Sequence, residues 1–318
     1  DGRPILSQSE SQFKTTKFGL YTNSGAQREV FSVQMSRLFN DGEGAFSIGY
    51  THQNIDMICS MQSSTSHSNY GKCPASDFQY RTASRSIYET EHRLFATLSS
   101  THYFFGPESP TTFNLFFERK SGLPGTLSFD TYSSPGRYQT QAFGHERRTN
   151  DDSAQLLYIP SGVSDPLVCW VSCTNPNLAV AGEILDLLYN TYGLANYAGQ
   201  IVPPGAFEFP YQTTLDLKIT QILPGFRDDD EFVISLAIEN LLNLIDSDKG
   251  EIFYGDYTGK IPVLDFQLTS DLSKYIYGNS RGADYAFRYN PNDPYDLSKS
   301  AVNSIWRAQL GFTYRFSL

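Results

Sequence analysis

From Trp306 to Leu318 every second residue is apolar or aromatic: Trp306, Ala308, Leu310, Phe312, Tyr314, Phe316 and Leu318. Between them stand Arg307, Gln309, Gly311, Thr313, Arg315 and Ser317, all polar or small. A period of two is the side-chain alternation of a β-strand and fits no helical face. The pattern recurs upstream. Phe31, Val33, Met35 and Phe39 alternate with Ser32, Gln34 and Ser36, and after "NDGEG" at 40–44 come Phe46, Ile48 and Tyr50, separated by Ser47 and Gly49. Asn, Asp and Gly favour tight turns, so this pair reads as a hairpin. Leu94, Ala96 and Leu98, then "GPESP" at 106–110, then Phe113, Leu115 and Phe117 make a second. Leu215, Leu217 and Ile219, then "PGFRDDD" at 224–230, then Phe232, Ile234, Leu236 and Ile238 make a third. The pattern predicts strands near 28–39, 45–57, 86–104, 111–123, 206–222, 231–242 and 303–318.

The hairpin turns are short, whereas the connections between hairpins, 58–84, 124–205 and 243–300, are long and rich in Pro, Asn, Asp and Ser. Short turns at one end and long loops at the other are the habit of outer-membrane β-barrels. A water-soluble sandwich also has alternating strands, but its loops are more even and its enclosed side is the apolar one. Here Asp216, Lys218, Glu239, Arg307 and Arg315 share the side opposite the aromatics. That suits a watery lumen and a lipid-facing exterior. The expected fold is therefore all-β, a transmembrane antiparallel β-barrel with long extracellular loops carrying a short helix. Trp306 would stand at one aromatic girdle and Tyr314 and Phe316 at the other, with Phe312 facing lipid between them. Residues 1–27 would form an outer loop, and an odd number of crossings would carry the chain to a periplasmic end. Seven strands leave an open edge, which is costly in lipid. Residues 1–318 therefore read as the C-terminal part of one larger barrel domain, or as one of two pieces that complete each other.

Composition narrows the field further. No apolar run reaches the length of about 18 residues that a helical span needs, which excludes helical membrane proteins but not barrels. A net charge of −10 argues against a nucleic-acid partner, because phosphate binding needs clustered Lys and Arg. The opening "DGRPILSQSESQ" has neither the basic start nor the apolar stretch of a signal peptide, so the start is expected to be processed or missing. Four cysteines fall into local pairs, Cys59 with Cys73 and Cys169 with Cys173, read as two disulfides of an oxidising compartment.

Enzymatic chemistry finds little support. His52, His67, His92, His102 and His145 stand singly along the chain, and no zinc helix, nucleophile elbow or phosphate loop occurs. No catalytic, cofactor-binding or metal-binding residue is assigned and no cofactor is expected. "RDDDE" at 227–231 reads as a solvated turn and "YIPSG" at 158–162 as an ordinary loop. In "GEILDLLYNTYG" at 182–193, Ile184, Leu187 and Leu188 fall at helical spacing, predicting a short packed helix. The loops are rich in Tyr and Phe, from Tyr70, Phe78 and Tyr80 to Tyr285, Tyr289 and Tyr295, which suits either a ligand vestibule or loop packing.

Several stretches carry a resemblance as well as a pattern. "SIYETEHRLFATLSSTHYFFGPESPTTFNLFFERKSGLPGTLSFD" (86–130), "DDSAQLLYIPSG" (151–162), "GQIVPPGAFEFPYQTTLDLKITQILPGF" (199–226), "EFVISLAIENLLNLIDSDKG" (231–250) and the final "SIWRAQLGFTYRF" follow one another here. Together they resemble the C-terminal barrel of TonB-dependent outer-membrane receptors, most closely the Oar-like group. The resemblance implies a barrel of about 22 strands around an N-terminal plug, in the outer membrane of a Gram-negative bacterium. It implies TonB-driven uptake of an unidentified extracellular substrate. Expected partners are outer-membrane lipid, the remaining strands and plug from the same or a second chain, and TonB through the missing N-terminal part. Neither plug nor TonB box is found in the sequence. The competing expectation is a processed barrel fragment serving as a surface binding, adhesion or structural module beside a partner chain.

Overall fold

The computed structural model describes residues 25–59, 63–65, 69, 73–77, 80–130, 155–170, 175–227, 229–253, 259–265, 287–289 and 299–316. Most of the expected outer loop 1–27, His67, His145, Cys173, Leu318 and many loop aromatics lie outside them.

The main sheet is an antiparallel meander. Its long strands are β1 (Gln27–Phe39), β2 (Gly44–Met57), β4 (His92–His102), β5 (Thr111–Lys120), β11 (Gln212–Pro224), β12 (Glu231–Glu239) and β15 (Arg307–Arg315). They are hydrogen-bonded in that order, with the short β3 (Ser84–Arg85) added beside β2. The chain is thus all-β in its main sheet, and each predicted strand is present with altered ends. At the β1–β2 turn Asn40 and Asp41 have φ of 53° and Gly42 has φ of 100°. Asn, Asp and Gly tolerate that left-handed region best, so the sequence places this turn.

The ends moved for local reasons. β4 begins at His92 because Ser86–Glu91 turns back on itself, Glu89 N–H donating to the Ser86 carbonyl at 3.1 Å. β11 begins at Gln212, after Pro210, which cannot donate to a ladder. β12 stops at Glu239 because Asn240 takes φ 53°, ψ 53° and starts a short helix, Leu241–Ile245. β15 is preceded by a single helical turn, Ala301–Ser304, whose Ser300 side chain caps Asn303 N–H at 3.3 Å.

Register aligns the apolar positions of all seven strands. Val33 faces Tyr50, Ile48 faces Ala96, Leu98 faces Leu115, Leu217 faces both Leu115 and Ile238, and Leu236 faces both Ile219 and Leu310. The result is one apolar band running across the sheet. None of these side chains is buried, and the edges are open, with Phe31 61% and Phe312 70% exposed. On the other face Gly49 lies under the Phe95 ring, where an added Cβ would come within 2.4 Å of Cε1.

The hydrophobic core lies elsewhere, in what the sequence presents as loops. Strand β6 (Pro124–Asp130) sits between β10 (Phe207–Glu208) and β13 (Lys260–Asp265), the latter parallel to it. β7 (Tyr158–Ile159) pairs with β9 (Gln200–Ile201), and β8 (Val168–Trp170) pairs with β14 (Phe287–Tyr289). The helix expected at 182–193 begins earlier, at Leu178, capped by Asn177, and runs to Asp186 before a wider turn to Thr191. Its Ile184 and Leu188 are buried with Leu127, Phe129, Leu157, Ile159, Trp170 and Ile261, while Leu187 packs at the margin. Full burial of each such side chain is worth roughly 1.5–3 kcal/mol. This cap, not the sheet, contains the chain's packed interior among the described residues.

Candidate functional site

The long strands end in two rims. The turn rim carries 40–43, 103–110 and 225–230, and the loop rim carries the cap. Between them the two faces of the sheet differ completely.

The polar face is a lattice of cross-strand contacts. Arg315 Nη1 lies 3.2 Å from Glu231 Oε2, Arg307 Nε 3.9 Å from Glu239 Oε2, and Glu118 accepts from Arg93 at 2.7 Å and pairs with Lys120 at 3.2 Å. Asp216 accepts the Asn240 N–H at 2.8 Å, and Lys218 stands exposed beside Ala237 and Asn114. All five residues expected on the wet side, Asp216, Lys218, Glu239, Arg307 and Arg315, therefore share this face. The exposed pairs, Arg315 with Glu231 and Arg307 with Glu239, contribute little stability, about 0–1 kcal/mol each. They set opposite charges side by side on the polar face.

Phe312 and Tyr314 belong to the apolar face. Trp306, just before β15, and Phe316, just after it, continue the same parity at opposite rims, both exposed. At the turn rim Phe226, Phe232 and Tyr314 cluster, with ring centroids 4.7–5.8 Å apart, and Phe104 meets Phe113 edge-on at 6.4 Å. The Tyr314 hydroxyl bonds to Asp230 and accepts from Phe226 N–H at 3.3 Å. The turn expected at "RDDDE" is closed by Gly225 N–H donating to the Asp230 carbonyl at 2.7 Å, and Asp228 lies outside the described residues.

At the loop rim Arg85 gathers three carboxylates: Glu89 at 2.5 Å, Glu91 at 2.7 Å and Glu208 of the cap at 2.9 Å. Glu89 is buried and also accepts Ile55 N–H at 2.6 Å. This node binds the cap to the sheet. The sequence carries it only as the unremarkable run "RSIYETE" and a Glu more than a hundred residues away.

Within the cap "YIPSG" wraps one carboxylate. Asp165 accepts from the Tyr158 hydroxyl at 3.0 Å, from Ser161 N–H at 2.7 Å and Oγ at 2.9 Å, and from Leu167 N–H at 2.9 Å. Burial alone would raise this carboxyl, but the Ser161 and Leu167 amides, with the Ser161 and Tyr158 hydroxyls, outweigh it and hold it below its ordinary value. A carboxyl lowered by folding stabilises the fold fully above its unfolded pKa, and that stabilisation is lost as pH falls through the lower folded value. In a Trp306→Phe background Trp170 is the one tryptophan left, and it lies buried in the cap core. Its fluorescence should show the cap loosening as pH drops below the usual Asp range, and Asp165→Asn should flatten that dependence.

The disulfide expected between Cys59 and Cys73 is not formed: the pair comes out as neighbouring thiols. Cys73 Sγ lies 3.2 Å from the Ile58 carbonyl and Cys59 Sγ 3.7 Å from the Asn69 carbonyl. A hydrogen bond with Cys59 and then burial push the Cys73 thiol up, away from reactive thiolate. The loop after β2 brings the two thiols together, as their spacing suggested; only the covalent step differs. Mild oxidation should join them, read by mass spectrometry as the loss of two hydrogens in a linked 59/73 peptide pair. Such a loop is expected to stabilise by about 3 kcal/mol. Of the second pair, Cys169 is in β8 and Cys173 lies outside the described residues.

Two expectations change. The histidines do not all stand alone, because register sets His52 opposite His92 with ring centroids 5.0 Å apart, and Glu91 lies beside them. No sequence spacing signals this, since cross-strand partners can be any distance apart along the chain. The loops are also less open than their polarity suggests: Tyr192 is buried edge-on against Phe207 at 5.6 Å, so it packs, whereas Tyr80 is exposed. Tyr289 is in β14, and Tyr70, Phe78, Tyr285 and Tyr295 lie outside the described residues.

Compared with known proteins, the chain matches no family model, no curated protein and no solved structure.

Proposed function

We propose that this chain is the C-terminal region of a transmembrane β-barrel in a bacterial outer membrane, of the TonB-dependent receptor type, taking part in energised uptake of an extracellular substrate. The observation that carries the reading is the uncovered apolar band across seven antiparallel strands, combined with a packed core that, among the described residues, lies in the cap. A soluble protein rarely leaves so large a contiguous apolar surface in water. Lipid covers it without further protein, and backbone hydrogen bonding within a sheet meets the demand that hydrocarbon imposes. In this reading Asp216, Lys218, Glu239, Arg307 and Arg315 line a wet lumen, and the cap closes over the outer mouth. The resemblance of the quoted stretches supports the receptor type.

In the described sheet β1 and β15 each have one long neighbour, so closure calls for further strands. These come from the same polypeptide in the receptor reading, with a plug upstream. The open edges equally favour a second reading, a barrel fragment completed by a partner chain as a binding or structural module. Mass spectrometry of the native complex from outer membranes decides between them. A single longer polypeptide with an upstream plug domain supports the receptor. A mature chain of these residues alone, bound to another protein, rejects it.

A further inference from the structure

We propose that His52, His92 and Glu91 form a binding site for a divalent cation of the zinc type at the loop rim of the sheet. One ligand atom from each lies within 4.8 Å of the others. His52 of β2 and His92 of β4 are direct cross-strand partners, so the ladder itself sets the spacing of the two imidazoles.

Two of the three ligands, His92 and Glu91, are also held from behind. The Tyr50 hydroxyl meets His92 Nδ1 at 2.8 Å, which turns Nε2 towards Glu91 Oε1, 3.3 Å away. The second Glu91 oxygen is anchored by Arg85 at 2.7 Å, and the Glu91 carbonyl accepts Gln53 N–H at 2.9 Å. Outer contacts of this kind orient ligands in protein metal sites. A further observation points at an absent ligand: His52 Nδ1 is buried and, among the described residues, has no hydrogen-bond partner. A buried polar atom left unsatisfied costs stability. A metal ion would take up that lone pair.

Two imidazoles and one carboxylate select a borderline cation and disfavour magnesium or calcium, which prefer oxygen alone. Three protein ligands leave a tetrahedral zinc one position for water or an external donor. The site shares Glu91 with the Arg85 node, so a bound cation would brace the same carboxylate that, through Arg85, reaches Glu208 of the cap. It does not depend on the transport reading, since the residues and contacts are the same for any barrel or sheet protein.

The test is titration of the full chain in detergent micelles with cobalt(II), followed by displacement with zinc. One equivalent of cobalt should bind, with a visible spectrum of nitrogen and oxygen ligation. His52→Ala and Glu91→Gln should each abolish saturable binding. Tyr50→Phe keeps every ligand and should weaken binding by about 10–100-fold; His102→Ala should change nothing. Tyr50→Phe, being the mildest change, keeps the proposal testable if the histidine variants fail to fold. No saturable binding, an intense thiolate band placing cobalt on the cysteines, or undiminished affinity in Glu91→Gln and Tyr50→Phe would each overturn it.

Discussion

Leu310→Arg is expected to destabilise the protein in lipid bilayers by about 2–4 kcal/mol, while Gln309→Arg, one residue away, changes stability by well under 1 kcal/mol. Leu310 sits near the middle of β15 on the apolar face, 59% exposed and opposite Leu236. In the proposed barrel that exposure is to hydrocarbon, where a guanidinium near the midplane cannot be solvated. Gln309 faces the other way, opposite Ala237 and among the charged residues, where one more arginine meets water. Urea unfolding in vesicles measures both. If the sheet instead stood in water, Leu310→Arg would be harmless or would improve solubility, and the contrast would vanish or reverse.

The second large effect concerns the loop rim. Arg85→Met should cost about 3–5 kcal/mol, because it leaves Glu89 buried with its charge uncompensated. Glu91 and Glu208 also lose their shared cation, so three carboxylates are left facing one another. The double variant Arg85→Met with Glu89→Gln should recover a large part of the loss, since the buried charge is then gone. A double-mutant cycle by chemical denaturation, followed through Trp170, isolates the pair from the remainder of the node. Additive losses in that cycle would mean the two side chains act independently and that the cap is fastened by other contacts.

The legible part of this fold is the part governed by period two. Phe312, Ile234, Leu217 and Leu115 could be assigned to one face from sequence because a strand has only two sides, and the observed register joins them into one band. Turn chemistry was legible for the same local reason, as at Asn40–Gly42. Strand ends were less so: nothing local distinguishes Ser86 in a strand from Ser86 in a turn until Glu89 folds back to accept from Ile55. The cap was misjudged because its core is assembled from distant, short apolar pieces such as Leu127, Leu157, Ile184 and Ile261, each too brief to show a period. Of the sites, the polar-face residues followed from alternation, whereas Arg85 with Glu208 and His52 with His92 arise from pairing between segments far apart in sequence.

A nitroxide scan of β15 decides the matter in one experiment. Single cysteines replace Ala308, Leu310 and Phe312 on one face and Gln309, Gly311 and Thr313 on the other, each spin-labelled in bilayers, in a background lacking the four native cysteines. Collision with oxygen, which concentrates in lipid, and with a water-soluble nickel chelate is then measured at every position. Labels at 308, 310 and 312 should respond to oxygen and those at 309, 311 and 313 to nickel, the two profiles alternating out of phase. Labels at 308, 310 and 312 that respond to nickel, or to neither reagent, would mean that water or packed protein covers the apolar band.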